Sequence, residues 1–397
     1  MPASIRKVTI SLTSGLLDYA DRRASRTQVS RSQVIGQALA EAQARDQARL
    51  AAEGYRFYAE ESGEFADASA QAVAEVFTTD PNYTEIQPLT QVIHRRKIMN
   101  NPQLDIRIGT LVNGGPNTAD YIRQILPHGF ESFTITFWQT LGGTDLKKLA
   151  AEVREALAGS GAVISAVEIF GNPLEGEAKD IETLQGWEAL IDHAHLFGTD
   201  IVAGFTGRVR GKPLPDSLPR FKEVFGPLAL RAADKGLRIA FENCPMGGNW
   251  QTGDWNIAHN PAAWELMFDA VPLDNLGLEW EPCHQMCELI DPMPQLRTWI
   301  KRMFHLHGKC ATIRWDVIRE YGISGPVQFA YHRTPGFGDL DWTNVISAAR
   351  LGGFKGALDI EGWHDPVYRG ELEMTGQVYG LNYLKRCRGG DFVPNPA

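Results

Sequence analysis

Four short segments in the C-terminal half of the chain carry side chains that bind hard cations and move protons. They are Leu237-Arg-Ile-Ala-Phe-Glu-Asn-Cys-Pro, Leu276-Gly-Leu-Glu-Trp-Glu-Pro-Cys-His, Met303-Phe-His-Leu-His-Gly-Lys and Gly356-Ala-Leu-Asp-Ile-Glu-Gly-Trp-His. Each runs apolar and turns acidic or imidazole-bearing at its tip. Glu242, Glu281, His307 and Glu361 are the candidate metal ligands. Three carboxylates and one imidazole make a mostly oxygen-donor set, which suits Mn2+ or Mg2+, with Co2+ or Zn2+ as further options. One such ion, bridging two adjacent oxygens of a sugar, polarises the carbonyl and stabilises an enediolate. A carboxylate alongside can then move a proton on carbon.

Those four tips must be brought to one place, and strand parity shows how. Leu237, Ile239 and Phe241 face one way and Glu242 the other. Leu276 and Leu278 oppose Glu279 and Glu281; Phe304 and Leu306 oppose His305 and His307; Leu358 and Ile360 oppose Asp359 and Glu361. The large apolar residues are expected to pack outward against helices and the polar ones to point inward. Strands are predicted at Ile106–Leu111, Ser132–Phe137, Val163–Ile169, Ile201–Phe205, Arg238–Glu242, Gly277–Glu281, Met303–His307 and Ala357–Glu361. Helical stretches such as Asp145–Leu157, Glu182–Leu196 and Pro219–Ala233 alternate with them. Eight such units predict an α/β fold, a (β/α)8 TIM barrel over residues 104–390, whose strand ends collect ligands on one rim. A doubly wound open sheet is the alternative, but no Gly-x-Gly-x-x-Gly turn follows the first strand.

Other polar residues take places around this centre. His305 points inward two residues below His307, as a wall of the site or a layer behind it. Lys309 is placed to neutralise a substrate oxyanion or to pair with a barrel carboxylate. Glu279 and Arg238 lie deeper and are expected to form a buried ion pair. His332 and Arg333 lie on a long 310–340 loop that either covers the mouth or is solvated. Trp250, Trp255, Trp280, Trp315 and Trp363 fall near the rim loops. Aromatic faces pack on the C–H faces of sugars, and two of these are expected to reach the pocket. His305, Lys309 and Trp363 are therefore substrate-contact candidates.

Five cysteines in 397 residues fit a reducing compartment better than a disulfide framework. Cys244, Cys283 and Cys310 each lie just past a proposed ligand, which reads as small residues in tight loops. Cys283 and Cys287 lack the two-residue gap of zinc fingers. No apolar run approaches the ~20 residues that span a bilayer, and Met1-Pro-Ala-Ser-Ile-Arg-Lys lacks the apolar core of a signal peptide. The expected location is cytoplasmic, with no membrane partner. Hydrophobic and charged contents of 43% and 22% are ordinary for a globular protein.

Charge divides the chain. Residues 1–50 hold eight Lys/Arg and four Asp/Glu, a net +4, so the remainder carries −13 of the overall −9. A basic head on an acidic body suggests two domains with different partners. Val8, Ile10 and Leu12 alternate with Lys7, Thr9 and Ser11, as in a half-buried strand. Thr13 or Ser14 can cap a helix with Leu16, Leu17 and Ala20 on one face, and Ser30 opens a second. So small a unit needs a second copy to bury its apolar faces, which predicts a homo-oligomer, at least a dimer.

Two resemblances follow. Residues 5 to about 45, with Val-Ser-Arg-Ser-Gln leading the second helix, resemble the ribbon-helix-helix family of small DNA-binding repressors and antitoxins. The stretch Gly54-Tyr-Arg-Phe-Tyr-Ala-Glu-Glu-Ser-Gly-Glu-Phe-Ala resembles the helical tail of some antitoxins. This gives a head at 1–77 and a linker at 78–103. The resemblance implies that Lys7, Thr9 and Ser11 face DNA bases and that Ser30 meets a phosphate; the plainer reading is a module that only dimerises.

Residues 104–385 resemble the xylose isomerase-like TIM barrels, which include sugar-phosphate isomerases and epimerases. The resemblance rests on Glu-Asn-Cys-Pro, Trp-Glu-Pro-Cys-His, His-Leu-His-Gly-Lys and Asp-Ile-Glu-Gly, with Thr334-Pro-Gly-Phe-Gly-Asp-Leu-Asp-Trp before the last strand. It implies a metal-dependent isomerase or epimerase of a sugar or sugar derivative. Glu242 and Glu361 are then both ligands and the catalytic proton-transfer pair, Glu281 is a ligand, and His284 touches substrate. Three positions depart from the family pattern. Glu281 stands where Asp is more frequent, Cys310 where Asp is common, and Gly248 where the ketose 3-epimerases have a further carboxylate. Rival readings are a metal-dependent lyase or hydrolase of a glycoside, an abasic-site endonuclease, and a sugar-sensing DNA-binding regulator. The acidic barrel repels phosphates and weighs against the endonuclease.

Overall fold

The computed structural model describes residues 14–27, 30–32, 34–35, 105–390 and 393. The chain divides into two units, 1–94 and 95–397. In the first, a helix spans Ser14–Thr27, starting at one of the two expected capping positions. Ser30 is exposed and leads helical residues at 31, 32, 34 and 35. Arg31 pairs with Asp21 at 2.5 Å, and Ala20 and Val34 are buried. The strand expected around Lys7, Thr9 and Ser11, the helical tail and the 78–103 linker lie outside the described residues.

The second unit is a closed barrel of eight parallel strands. They are β1 (Ile106–Asn113), β2 (Ser132–Trp138), β3 (Val163–Phe170), β4 (Ile201–Gly204), β5 (Arg238–Glu242), β6 (Leu276–Trp280), β7 (Met303–Gly308) and β10 (Gly356–Ile360). All eight predicted strands are present, in sequence order around the ring. Apolar, β-branched runs buried on both faces are what a parallel sheet covered by helices requires. The helices Leu146–Leu157, Ala178–Phe197 and Leu218–Ala233 occupy the three predicted stretches. Local chemistry sets their ends: the Asp145 carboxylate accepts from the backbone amides of Lys147 and Lys148, and Gly198 closes the second helix at φ +79°. Among the described residues, no helix is long and apolar enough to cross a membrane.

Two further strands interrupt the alternation. β8 (Cys310–Ile313) and β9 (Ala330–Arg333) pair antiparallel, with the short helix Trp315–Tyr321 between them. The 310–340 segment, expected as a loop, is therefore a ribbon with its own hydrogen bonds.

Parity holds for Ile239, Phe241, Leu276, Leu278, Leu306, Leu358 and Ile360, which join the core between barrel and helices. Phe304 departs from it. It packs instead with Ala166, Ile201, Ala203 and Ala240, whose strand neighbours Val167, Val202 and Ile239 belong to the outer core. Phe304 thus plugs the barrel floor, beside a register shift at Leu278/Glu279 on β6. The Arg238 guanidinium lies 5.0 Å over its ring and pairs with Asp200 at 2.9 Å. The expected Arg238–Glu279 ion pair is therefore not formed. Arg238 finds a carboxylate at the partly exposed end of the barrel, while Glu279 turns to histidines within it.

Above the floor lies a polar layer centred on Asp359. It accepts hydrogen bonds from Ser132, Ser165, Thr134 (2.6 Å) and His305 Nε2 (2.9 Å). Gly109 is the neighbour that makes room. A Cβ there would stand 2.1 Å from the Ser132 carbonyl and 2.2 Å from Asp359 Oδ1. Gly109→Ala should lower unfolding stability by about 1–3 kcal/mol, read as a lower midpoint in urea. An unchanged midpoint would show that this layer has slack.

Candidate metal centre

Four neighbouring strands of the ring deliver the four proposed ligands. Glu242 ends β5, Glu281 follows β6, His307 lies in β7 and Glu361 follows β10. Their order around the barrel is β5, β6, β7, β10. Parallel strands place these ends on one rim, and the side chains converge. One donor atom from each lies within 4.8 Å of every other, and all four residues are buried.

Backbone locks hold two of these glutamates. Asn243 accepts from the Glu281 amide at 2.6 Å and donates to its carbonyl at 2.8 Å. Asn256 donates to the carbonyls of Glu242 and Cys244, both at 2.8 Å. The main chain is thereby satisfied without use of the carboxylates. His307 is oriented by its far nitrogen. Nε2 lies 3.4 Å from Glu168 Oε1 and 3.3 Å from Glu279 Oε1. Nδ1 faces Glu242, Glu281 and Glu361 at 3.6, 3.7 and 3.6 Å. This is the arrangement of a metal-binding histidine whose second nitrogen is held by carboxylates.

A test of fit comes from orphaned polar atoms. Both Glu281 oxygens, Glu361 Oε2 and His307 Nδ1 are buried without a hydrogen-bond partner. Buried polar atoms are ordinarily bonded. Lys309 Nζ approaches Glu281 Oε1 at 3.1 Å and Glu361 Oε2 at 2.7 Å. These are ion-pair contacts, and they leave His307 Nδ1 and the second Glu281 oxygen unmet. A divalent cation between the four side chains would satisfy all of these atoms together, so the donor set fits one.

Proton affinities carry the same tension. Burial pushes Glu281 well above the usual carboxylate range, and Lys309 offsets only part of it. Burial and the charge of Glu279 push Glu168 up likewise. Burial also opposes ionisation of Glu242 and Glu361. The His284 and His307 rings nonetheless hold Glu242 low, and Lys309 and His307 hold Glu361 well below the ordinary value. His284 is lowered by burial and by Lys309.

The remaining candidates divide. His284 Nε2 sits 3.2 Å from Glu281 and 3.7 Å from Glu242, and Lys309 bridges Glu281 and Glu361, so both belong to the centre. His305 lies deeper. It is fully buried below the ligands and spans Glu279 (2.7 Å) and Asp359 (2.9 Å). These two acids outweigh burial and raise it to about 9. Trp363 contacts His364, with centroids 5.7 Å apart, and it is His364 Nε2 that meets Glu361, at 3.0 Å. Trp280 lies in the outer core, bonded to Gln295 at 2.9 Å, and Trp315 is about half exposed. Trp255 pairs with Trp138 at 5.7 Å.

Glu168 was not singled out from the sequence. Its signal was an acid on the inward parity of Val-Ile-Ser-Ala-Val-Glu-Ile-Phe, opposite Val167 and Ile169. It also accepts from Thr136 at 2.8 Å.

Comparison with known families places this geometry. The family described as xylose isomerase-like TIM barrel matches residues 122–387. The chain belongs to that family. Among solved structures, the xylose isomerase-like barrel is similar to a 3-keto-D-glucoside 4-epimerase from E. coli in its apo form. That match has 16% identity and a TM-score of 0.54, and covers 71% of this chain and 100% of the other. It is similar to a D-psicose 3-epimerase from Clostridium cellulolyticum H10 solved with D-tagatose, at 13% identity, TM-score 0.55, and 71% and 99% coverage. A xylose isomerase domain protein from Planctomyces limnophilus matches at 16% identity, TM-score 0.55, and 71% and 97% coverage. At these identities the likeness is one of fold. Comparison with curated proteins finds no match.

The carboxylates behind His307 yield a test. Glu279→Gln removes the charge facing Nε2 while keeping the shape. It should weaken Mn2+ affinity about 10–100-fold, measured by titration calorimetry. Unchanged affinity would show that this layer does not tune the centre.

Proposed function

We propose that the barrel is a divalent-metal-dependent isomerase or epimerase of a sugar or sugar derivative. The observation that carries this reading is the convergence of Glu242, Glu281, His307 and Glu361, with unsatisfied donor atoms, beside a buried lysine. Two structural neighbours, both epimerases of sugars, support it.

A bound divalent ion would polarise a substrate carbonyl and stabilise the enediolate formed on proton loss. This chain's residues do the rest. Glu242 and Glu361 stand on β5 and β10, the two ends of the four-strand arc. A substrate carbon held between them meets a carboxylate from either side. One carboxylate takes the proton from carbon and becomes a carboxylic acid; the electron pair stays in the enediolate. Return of a proton to the same carbon from the opposite side inverts it, and return to the neighbouring carbon isomerises it. His284 and His307 keep Glu242 ionised, and Lys309 does so for Glu361, so both can accept a proton. Lys309 also places a positive charge where an oxyanion develops.

Gly248 supports a sugar derivative over a simple ketose. The ketose 3-epimerases, by the resemblance above, carry a carboxylate at that position. Here a Cβ would lie 3.0 Å from the Pro245 carbonyl and 3.3 Å from an Arg208 nitrogen. The buried Arg208 instead ties the rim loops, bonding the carbonyls of Lys212 (2.8 Å) and Asn249 (2.7 Å).

Glu242→Gln and Glu361→Gln should each lower kcat by about 10²–10⁴-fold with an unchanged thermal melt. Chelation should abolish turnover and Mn2+ restore it, and product formed in D2O should carry deuterium on carbon. Full turnover in both variants, or product free of solvent deuterium, would refute the mechanism.

A further inference from the structure

A second group of metal-binding side chains stands beside the glutamate centre and takes no part in it. Cys283 and Cys287 occupy positions i and i+4 of the helix Pro282–Cys287, which puts both sulfurs on one face. His332 comes from β9, in the ribbon that packs against this helix. The two sulfurs and a ring nitrogen all lie within 4.8 Å of one another. Both cysteines are free thiols; Cys283 is buried, while Cys287 and His332 are partly exposed. The His332 ring stands edge-on to His284 at 5.3 Å and to His364 at 5.7 Å. Those two histidines touch Glu281 and Glu361, so the two clusters share a wall of imidazoles.

We propose that Cys283, Cys287 and His332 form a separate site for a soft divalent cation, Zn2+, with an open fourth position. Donor chemistry separates the two centres. Thiolate and imidazole favour zinc, whereas carboxylates suit harder ions. With Zn–S bonds of about 2.3 Å and Zn–N bonds of about 2.0–2.1 Å, donors around one ion stand about 3.5–4 Å apart. The observed spacing needs only small side-chain rotations to reach that. Three protein ligands leave room for water or a substrate heteroatom. The ligands come from a helix and from a ribbon, so occupancy ties the ribbon down next to His284 and fixes one wall of the glutamate centre.

Cobalt titration of the full-length chain tests this. Thiolate ligation of Co2+ gives near-ultraviolet charge-transfer absorption that oxygen ligands cannot give. The expected result is one ion per chain with that band, displaced by Zn2+, kept in E281Q, and lost in C283S/C287S and in H332A. E281Q separates the two centres, because its loss of hard-ion binding leaves the thiolate band standing. Should the double cysteine variant fail to fold, H332A, altered at a partly exposed position, carries the same test. Absence of the band in the unmodified chain, or its persistence in the folded variants, would overturn the proposal.

Discussion

The mouth of this barrel holds more buried negative charge than its own cations balance, and the rest of the structure is arranged around that excess. Glu168, Glu242, Glu279, Glu281, Asp359 and Glu361 are all less than a tenth exposed. Lys309, His305 and His307 are set against them, and those same acids raise the proton affinity of each. An unpaired buried carboxylate is costly enough that it takes up a proton instead, which is the state toward which Glu281 and Glu168 are driven. A divalent ion relieves the same excess without protonating the ligands. Charge balance and the orphaned atoms thus point to one occupant.

Precision in the centre depends on the layers beneath it. His307 can offer Nδ1 upward because Glu168 and Glu279 hold Nε2 from below. Glu279 is held in turn by His305, and His305 by Asp359, which hydroxyls from β2 and β3 surround. The chain of contacts runs from the Gly109 gap to the ligand rim. All but the half-buried Ser165 are buried, so a loose link leaves an unsatisfied polar group. This is the physical reason for a glycine on β1 and for Ser132, Thr134 and Ser165 on inward positions where other barrels place aliphatic side chains.

The barrel and the convergence of the four candidate side chains were legible because strand parity and residue type agree there. An acid or imidazole on the inward phase of an otherwise apolar strand marks the rim, and four such strands in order place it. Parity failed at Phe304, where the register shift next to it and the small inward residues Ala166, Ala203 and Ala240 leave a floor to be filled. Charge type alone misled for Arg238 and Glu279, because pairing depends on depth along the strand and Arg238 sits at its first residue. His305 read as a possible wall of the pocket because parity gives direction but not height. The ribbon β8–β9 was hidden because the helix Trp315–Tyr321 separates its two short strands. The Cys283–Cys287–His332 group was hidden because its third member arrives only when that ribbon folds onto the helix. Glu168 carried the right signal on a strand with no second polar tip to draw attention to it.

The most direct test of the central claim is a crystal structure of the full chain grown with Mn2+, with anomalous-difference maps collected at the manganese edge. The account predicts a peak at the point shared by Glu242, Glu281, His307 Nδ1 and Glu361, with ligand distances of about 2.0–2.3 Å. No peak there, or one bound elsewhere while those four side chains stay paired only with Lys309, would contradict it.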